Sequence, residues 1–548
     1  MIKKIIIENF RSIKHLELEP LNLCAIVGAN SSGKSNVLKA IDLVLGDGWT
    51  TKAKVAKELF NDTSKPIKIL VELKDSVSWD YYGKIRAIKF VSLKMELNPL
   101  SCEMRLWENF PSQYEKPGFL NEDFKKSCHF IYIPSLRDLK DEMRVSNWTL
   151  LGKMMKLVQD NYADFYSGEE NLQSEFSAIM KPAKDFLEFD FSGETKIVSF
   201  KKFYDVFVSY CKQNSAGIAN NFKPQLDIYN LNWFYKTLQI TVAEDFNEKI
   251  FDADEVGSGM QNLILLSIFQ SYAELSQGKA IFAIEEPELF LYPQAQRELY
   301  DNFQTLSKTT QIFYTTHNPN FLNPQRAFEI ELITKSKEGG TTLRRKNKTF
   351  VNEDYFKTKE FKIYAHFNTY RNEIFFAKYV ILVEGDSDKI LWTTLIEDKW
   401  KISLNKSGIS IIECGGKGGV MYFIGVMRLM GITDYFAIWD KDSGSDPDTH
   451  GQLKSSVENK IGLEIEPTLE KFLKKYFPDQ QFRDDYKIED AYKWASEIAV
   501  EKIPIELNVV KDQIINILTP KTEQVVESPV QARDTNLPSE EEELPTTK

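Results

Sequence analysis

Three stretches of this 548-residue chain place reactive residue types at spacings that could do chemistry. The first is Gly28-Ala-Asn30-Ser31-Ser-Gly33-Lys34-Ser35, between an apolar run from Leu21 to Val27 and a helix-like segment from Asn36 to Leu45. Gly28 and Gly33 let the backbone curl so that successive N–H groups face one anion. Lys34 then reaches the outer phosphates, and the Ser35 hydroxyl is placed to hold Mg²⁺. The helix opening at Asn36 turns its positive end toward the same anion. A nucleoside triphosphate site lined by Asn30, Ser31, Gly33, Lys34, Ser35 and Asn36 is predicted. The second stretch is an apolar strand, Ala280 to Ile284, ending in Glu285-Glu286-Pro287-Glu288. Acids at the end of a buried strand must be hydrated, paired or linked to a metal.

The third stretch is spread over three segments. Tyr379 to Val383 ends in Glu384-Gly385-Asp386-Ser387-Asp388, and Ile409 to Glu413 leads into a glycine loop, Gly415 to Gly419. Tyr435 to Trp439 then ends in Asp440-Lys441-Asp442. Carboxylates at the C-terminal ends of adjacent parallel strands converge, and so many like charges need cations. Their hard oxygens suit Mg²⁺ or Mn²⁺. The Asp440/Asp442 spacing puts both side chains on one side of a strand end, whereas Asp386 alone reads as a surface acid.

The elements that must position these residues follow in order. Ile2 to Glu8 is a β-rich run before Asn9-Phe10-Arg11-Ser12, and a second strand lies around His15 to Glu19. Ile67 to Leu73 and Ile88 to Leu97 alternate as antiparallel strands, and Phe130 to Pro134 reads as a buried strand. From Asp141 to about Asn230 the pattern is helical without a sustained heptad, which excludes a coiled coil and predicts a compact helical insertion. Strand character resumes at Leu238 to Val242. Gly257-Ser258-Gly259-Met260-Gln261 opens a helix through Gln270, and Ile312 to Thr316 is a strand ending in His317. A hairpin is expected from Phe328 to Ile333 and Thr341 to Phe350, with Arg344, Arg345, Lys346 and Lys348 on a solvated face or touching phosphate. Phe361 to Phe376 reads as a helical connector.

Composition sets the class. Hydrophobic residues at 42% support packed cores in two to four domains. The five cysteines are far apart, which suggests neither a disulfide framework nor a zinc module and fits a reducing cytoplasm. Met1 leads into a strand with no signal-peptide pattern, and no apolar run approaches the ~20 residues of a membrane span, so no membrane partner is expected. Net charge is −11, of which seven acids against two bases in Thr522 to Lys548 supply −5. That segment, 522–548, reads as a disordered acidic tail, leaving a mildly acidic body that still admits nucleic acid at a local groove or a bound metal.

N-F-R-S before G-x-N-x-S-G-K-S resembles the head of ATP-binding-cassette (ABC) ATPases of the SMC and RecF kind. That resemblance implies ATP as ligand with Arg11 close to it. Ser258, Gly259 and Gln261 would form a shortened signature motif acting on a partner's ATP, so a homodimer or higher oligomer follows. Glu285 would assist Mg²⁺, Glu286 would orient the attacking water, and His317 would sense the γ-phosphate. Strand–Glu-Gly-x-x-Asp, a glycine loop and strand–Asp-x-Asp resemble a Toprim domain. A topoisomerase would further need a tyrosine-bearing DNA-gate domain and a bacterial primase a zinc module, and the chain has room for neither.

A cassette head followed by Toprim is similar to the OLD (overcoming lysogenization defect) family, which includes the nuclease subunit of the Gabija anti-phage system. The expected fold class is α/β. It divides into an ABC-type ATPase head (1–140 and 236–360) with a helical insertion (141–235), a connector (361–376) and a Toprim domain (377–517). The resemblance implies a metal-dependent DNA endonuclease in anti-phage defence. It assigns Glu384 and Asp388 to one metal set, Asp440 and Asp442 to another, Glu470 as a further acid and Lys493 as the lysine approaching the scissile phosphate, with Lys487 competing. It also admits a helicase or another defence protein as partner. Two rivals stay open: a repair or recombination ATPase that loads on DNA, and a nucleotide-state sensor without nuclease activity.

Overall fold

Strands β1 (Ile2–Phe10) and β2 (Ile13–Leu18) form a hairpin in which alternate residues, among them Ile5, Ile7, Leu16 and Leu18, are buried. The period of two is what a half-covered antiparallel strand requires. A computed structural model describes residues 1–81, 83–112, 117–135, 142, 145–146, 149–156, 172–187, 198–214, 238–243, 250–276, 280–344, 370–441, 462–476 and 483–519. The hairpin belongs to a twelve-stranded sheet. With β3 (Leu23–Val27), β4 (Ile67–Tyr81), β5 (Lys84–Glu96), β6 (Ser101–Trp107), β7 (Gly118–Phe119), β8 (His129–Ile133), β9 (Thr241–Ala243), β10 (Ile250–Asp252), β11 (Ala280–Glu285), β12 (Gln311–Thr315), β13 (Ile330–Ser336) and β14 (Gly340–Leu343), its order is β7-β6-β5-β4-β1-β2-β14-β13-β3-β12-β11-β8. β9 and β10 pair separately as a small ribbon.

One half of the large sheet is antiparallel. The other half, β13-β3-β12-β11-β8, is parallel and reads as unbroken apolar runs because both faces are covered. Helix Lys34–Leu45 lays Val37, Leu38, Ile41 and Val44 on one face, against Ile26, Ile281 and Phe313. Helices Ser258–Leu275 and Pro293–Leu306 cover the other with Leu265, Phe269, Leu299 and Phe303. Each such buried side chain contributes roughly 1.5–3 kcal/mol.

A second sheet has the order β16-β15-β17-β18, all parallel, from β15 (Tyr379–Val383), β16 (Ile409–Glu413), β17 (Tyr435–Asp440) and β18 (Gly462–Ile465). Helix Lys417–Leu429 covers one face. The other is covered by Trp392 of helix Asp386–Thr394, Trp494 of helix Lys487–Glu497 and Leu507 of helix Ile505–Leu518. Phe303, Phe321, Ile374, Phe375, Val380, Phe423 and Met427 lie in one apolar cluster, so the two sheets share a core.

Of the expected insertion, helical residues 150–156 and the helices Leu172–Leu187 and Val198–Asn214 are described. The expected connector is described only from 370, where Arg371–Phe375 forms a 3₁₀ turn, and the acidic tail, Asp442 and Arg345 to Lys348 lie outside the described residues. Among the described residues no helix is long and apolar enough to cross a membrane.

Candidate ATPase and metal sites

The loop after β3 has the curl that its glycines predict. Gly28 has φ 152° and Gly33 φ 107°, and a Cβ on Gly33 would stand 2.3 Å from the Thr341 hydroxyl. Thr341 sits there because its Oγ1 donates to the Ser32 carbonyl at 2.7 Å and lies 2.8 Å from Ser12 Oγ. Asn36 donates to the same Ser12 hydroxyl at 2.8 Å and accepts from Arg11 Nη1 at 3.3 Å. The N-F-R-S turn, the phosphate loop and β14 are therefore tied into one network, with Arg11 beside Asn36. Lys34 is buried and donates to the carbonyls of Gly28 and Ala29, 3.1 Å each. Burial lowers its pKa to about 8, opposed by Glu286 and Glu285. A buried ammonium resting on neutral oxygens fits a polyanionic phosphate chain. Ser35, in the first turn of the same helix, is half-buried.

The acids of the E-E-P-E run have separate surroundings. Glu285 accepts from Tyr132 Oη at 2.9 Å and from the Ser135 N–H and hydroxyl at 3.3 and 3.1 Å. β8 lies beside β11 in register, Ile133 opposite Ile284, which brings Ser135 to that strand end. Glu286 has a left-handed φ of 46°, a strained conformation for a glutamate, while its N–H still extends the ladder to Thr315 O at 3.0 Å. His317 Nε2 lies 3.9 Å from Glu286 Oε1, and burial, with Lys34 second, lowers the imidazole pKa and keeps it neutral at pH 7. Glu288 accepts from the Thr316 hydroxyl and the His317 N–H, and burial raises it to about 7.

Glu286, His317 and Lys34 thus face one space above β3, β11 and β12. Ser258 and Gly259 open their helix at the surface, away from any bond to that loop in the described chain. Gln261 is buried, donating to the Asp254 carbonyl at 3.0 Å.

The second acid set lies at the C-terminal ends of β15 and β17, which pair in parallel. Glu384 Oε1 accepts the Asp440 N–H at 2.8 Å, and Asp440 Oδ1 accepts the Leu469 N–H at 3.0 Å, at the start of helix Leu469–Tyr476. Asp388 is buried in the first turn of its helix and accepts the Gly385 N–H at 3.2 Å. That bond caps the helix, which starts at Asp386. Burial, then Glu384, raises Asp388 to about 7, and burial, then Asp388 and Glu384, raises Asp440 to about 8. Glu470 acts on both electrostatically.

Like charges that crowd this far with hard oxygen donors fit a divalent cation. Among the described residues no three acids yet form a group that could hold an ion, their oxygens being turned toward backbone N–H groups. Asp442 lies outside those residues. The direct bond between Glu384 and Asp440 runs across the two metal sets that the family resemblance implies. Lys493 is exposed on helix Lys487–Glu497, whereas Lys487 on the same helix reaches Glu470 at 3.3 Å. Asp386 is exposed.

Sequence reasoning missed Tyr132, Ser135 and Thr341. Tyr132 lies on β8 and Ser135 just beyond it, beside distant β11, and Thr341 lies on β14, which meets distant β2, and local motifs carry no trace of those pairings.

These two strand-end sites define an ATPase head carrying a Toprim sheet. The family model for "AAA ATPase domain" matches residues 1–98 and 102–322, and that for "Overcoming lysogenization defect protein-like, TOPRIM domain" matches 375–442. The chain is 27% identical to the OLD nuclease of Thermus scotoductus over 485 residues, covering 85% of this chain and 87% of that one. It is 22% identical to the Old nuclease of Escherichia phage P2 over 78% of this chain and 75% of the other. It is also 22% identical to Endonuclease GajA of Bacillus cereus (strain VD045) over 75% and 70%. The chain belongs to the OLD family of proteins, an AAA ATPase domain joined to an OLD-like Toprim domain.

Proposed function

We infer that this protein is an ATP-dependent, metal-dependent DNA endonuclease acting in anti-phage defence. The observation that carries the reading is the convergence of Glu384, Asp388 and Asp440 on the ends of β15 and β17, in the same chain as a complete phosphate loop. A bound divalent cation, Mg²⁺ or Mn²⁺, would supply Lewis acidity and lower the pKa of water. Glu384, Asp388, Asp440 and Asp442 would hold it, with Glu470 as a further acid. Lys487, already at Glu470, is better placed than Lys493 to meet a phosphate drawn to these acids.

In the head, Lys34 and the loop N–H groups would bind the phosphates of ATP, Ser35 and Glu285 would hold its Mg²⁺, and Glu286 would orient water beside neutral His317. Arg11, Asn30, Ser31 and Asn36 border the nucleotide, and Ser258, Gly259 and Gln261 serve the ATP of a second copy. The domain division given above goes with this reading. A homodimer also fits helix Val198–Asn214, where Phe203, Val206, Phe207 and Tyr210 are exposed at the spacing of one helical face.

Purified protein incubated with plasmid DNA and Mg²⁺ or Mn²⁺ tests the reading. Nicked or linear product is expected. A gel shift without cleavage would favour a DNA loader, and no DNA interaction a nucleotide sensor. Light scattering that finds only monomer, with and without ATP, would remove the dimer.

A further inference from the structure

Arg371 and Asn372 are adjacent, both buried, and reach in opposite directions. Arg371 makes a forked pair with Glu413, the last residue of β16, its Nε donating to Oε2 at 3.1 Å and its Nη2 to Oε1. Such a fork fixes the carboxylate in two directions. Beyond Glu413, the Cys414 N–H bonds to Val383 O at 2.9 Å and the Gly416 N–H to Glu384 O at 2.8 Å. The anchoring of Glu413 thus sets the backbone on which Glu384 stands, and Glu384 in turn holds the Asp440 N–H.

Asn372 faces the head. Its Nδ2 donates to Pro319 O at 2.7 Å and Leu322 O at 2.9 Å, bracketing the turn just after His317. That turn is seated by Phe321, in the same apolar cluster as Ile374 and Phe375. The Asn372 Oδ1 is buried without a hydrogen-bond partner. An unpaired buried amide oxygen is costly, so a shift that brings it a donor is favoured. Directly after this segment in the chain, Ile374–Lys378 line a cavity of about 650 Å³ together with Gly28–Ser32 of the phosphate loop.

We propose that Arg371 and Asn372 are positioning residues that link the turn behind His317 to Glu413, so that nucleotide in the head changes the placement of Glu384. The link deepens the nuclease reading and rests on it for its role in cleavage. Both sites bias one element, and the coupling acts reciprocally.

Hydrogen exchange on the full-length protein with Mg²⁺, with and without a non-hydrolysable ATP analogue, tests it. In the wild type the analogue is expected to change protection in peptides covering 317–322 and 413–419. In Asn372→Ala the first change persists and the second is lost. Nicking rates with and without ATP should differ by about fivefold or more in the wild type. In the variant they should converge to within about twofold, with ATP turnover unchanged. Should Asn372→Ala fail to fold, Arg371→Lys, which keeps the charge and loses the fork, takes its place. A wild-type 413–419 segment blind to nucleotide, or a variant whose segment responds fully, overturns the link. Exchange is read without cleavage, so a relay in a protein that cuts no DNA would refute the nuclease reading alone.

Discussion

Two sets of acids stand at the ends of parallel strands in this molecule, and they are treated differently. In the head, two of the three carboxylates have their own donors: Glu285 has Tyr132 and Ser135, and Glu288 has Thr316 and the His317 N–H, while buried Lys34 brings a positive charge toward Glu286. In the second sheet, Glu384, Asp388 and Asp440 each accept a backbone N–H, and their charges act on one another. Repulsion accordingly ranks directly behind burial in raising Asp388 and Asp440, whereas for Glu288 hydrogen bonds rank ahead of the Glu286 charge. The head compensates much of its charge internally, while the crowding of the second set fits compensation by a cation.

The largest effects should separate the two sites. Glu286→Gln keeps the shape of the head and removes the water-orienting charge. ATP hydrolysis should fall by about 10²–10⁴-fold with nucleotide retained and plasmid nicking still measurable. Asp440→Ala should do the converse, lowering nicking at least ~100-fold with ATP turnover near normal. Wild-type cutting by Asp440→Ala would break the comparison and revive the loader. Lys34→Ala should weaken nucleotide binding by roughly 10–100-fold in calorimetry and leave metal-dependent nicking without nucleotide control.

The smallest effect concerns Glu288. Its folded pKa of about 7 lies above the ordinary 4.5, so the folded state binds more protons between those values and stability falls as pH rises through them. Glu288→Gln should flatten that part of the slope, read as the difference between wild-type and variant denaturation across pH 4.5 to 7.5. Identical slopes would mean that the Thr316 and His317 bonds already hold Glu288 ionised.

The motif-bearing parts of both sites were legible because local rules and tertiary structure agree there. Gly28 and Gly33 adopt positive φ, the apolar runs at β3, β11, β12 and β15 are buried parallel strands, and β13 and β14 pair about the Gly339-Gly340 turn. What escaped depends on long-range pairing. Ser12 and Thr341 meet although nothing in either neighbourhood points to the other, and it is Lys487 rather than Lys493 that pairs with Glu470 at the first turn of their helix. Of the expected Leu238 to Val242 strand, only Thr241–Ala243 forms one, and it pairs with β10 outside the main sheet.

The Ser32 carbonyl finds its Thr341 hydroxyl 309 residues later, and β3 lies between two strands that follow it by almost as much. During synthesis at about 5–20 residues per second, roughly 15–60 s separate the two ends of that bond. The nascent chain therefore carries its most apolar strands unpaired until late, and closes its ATP pocket only once β14 has left the ribosome.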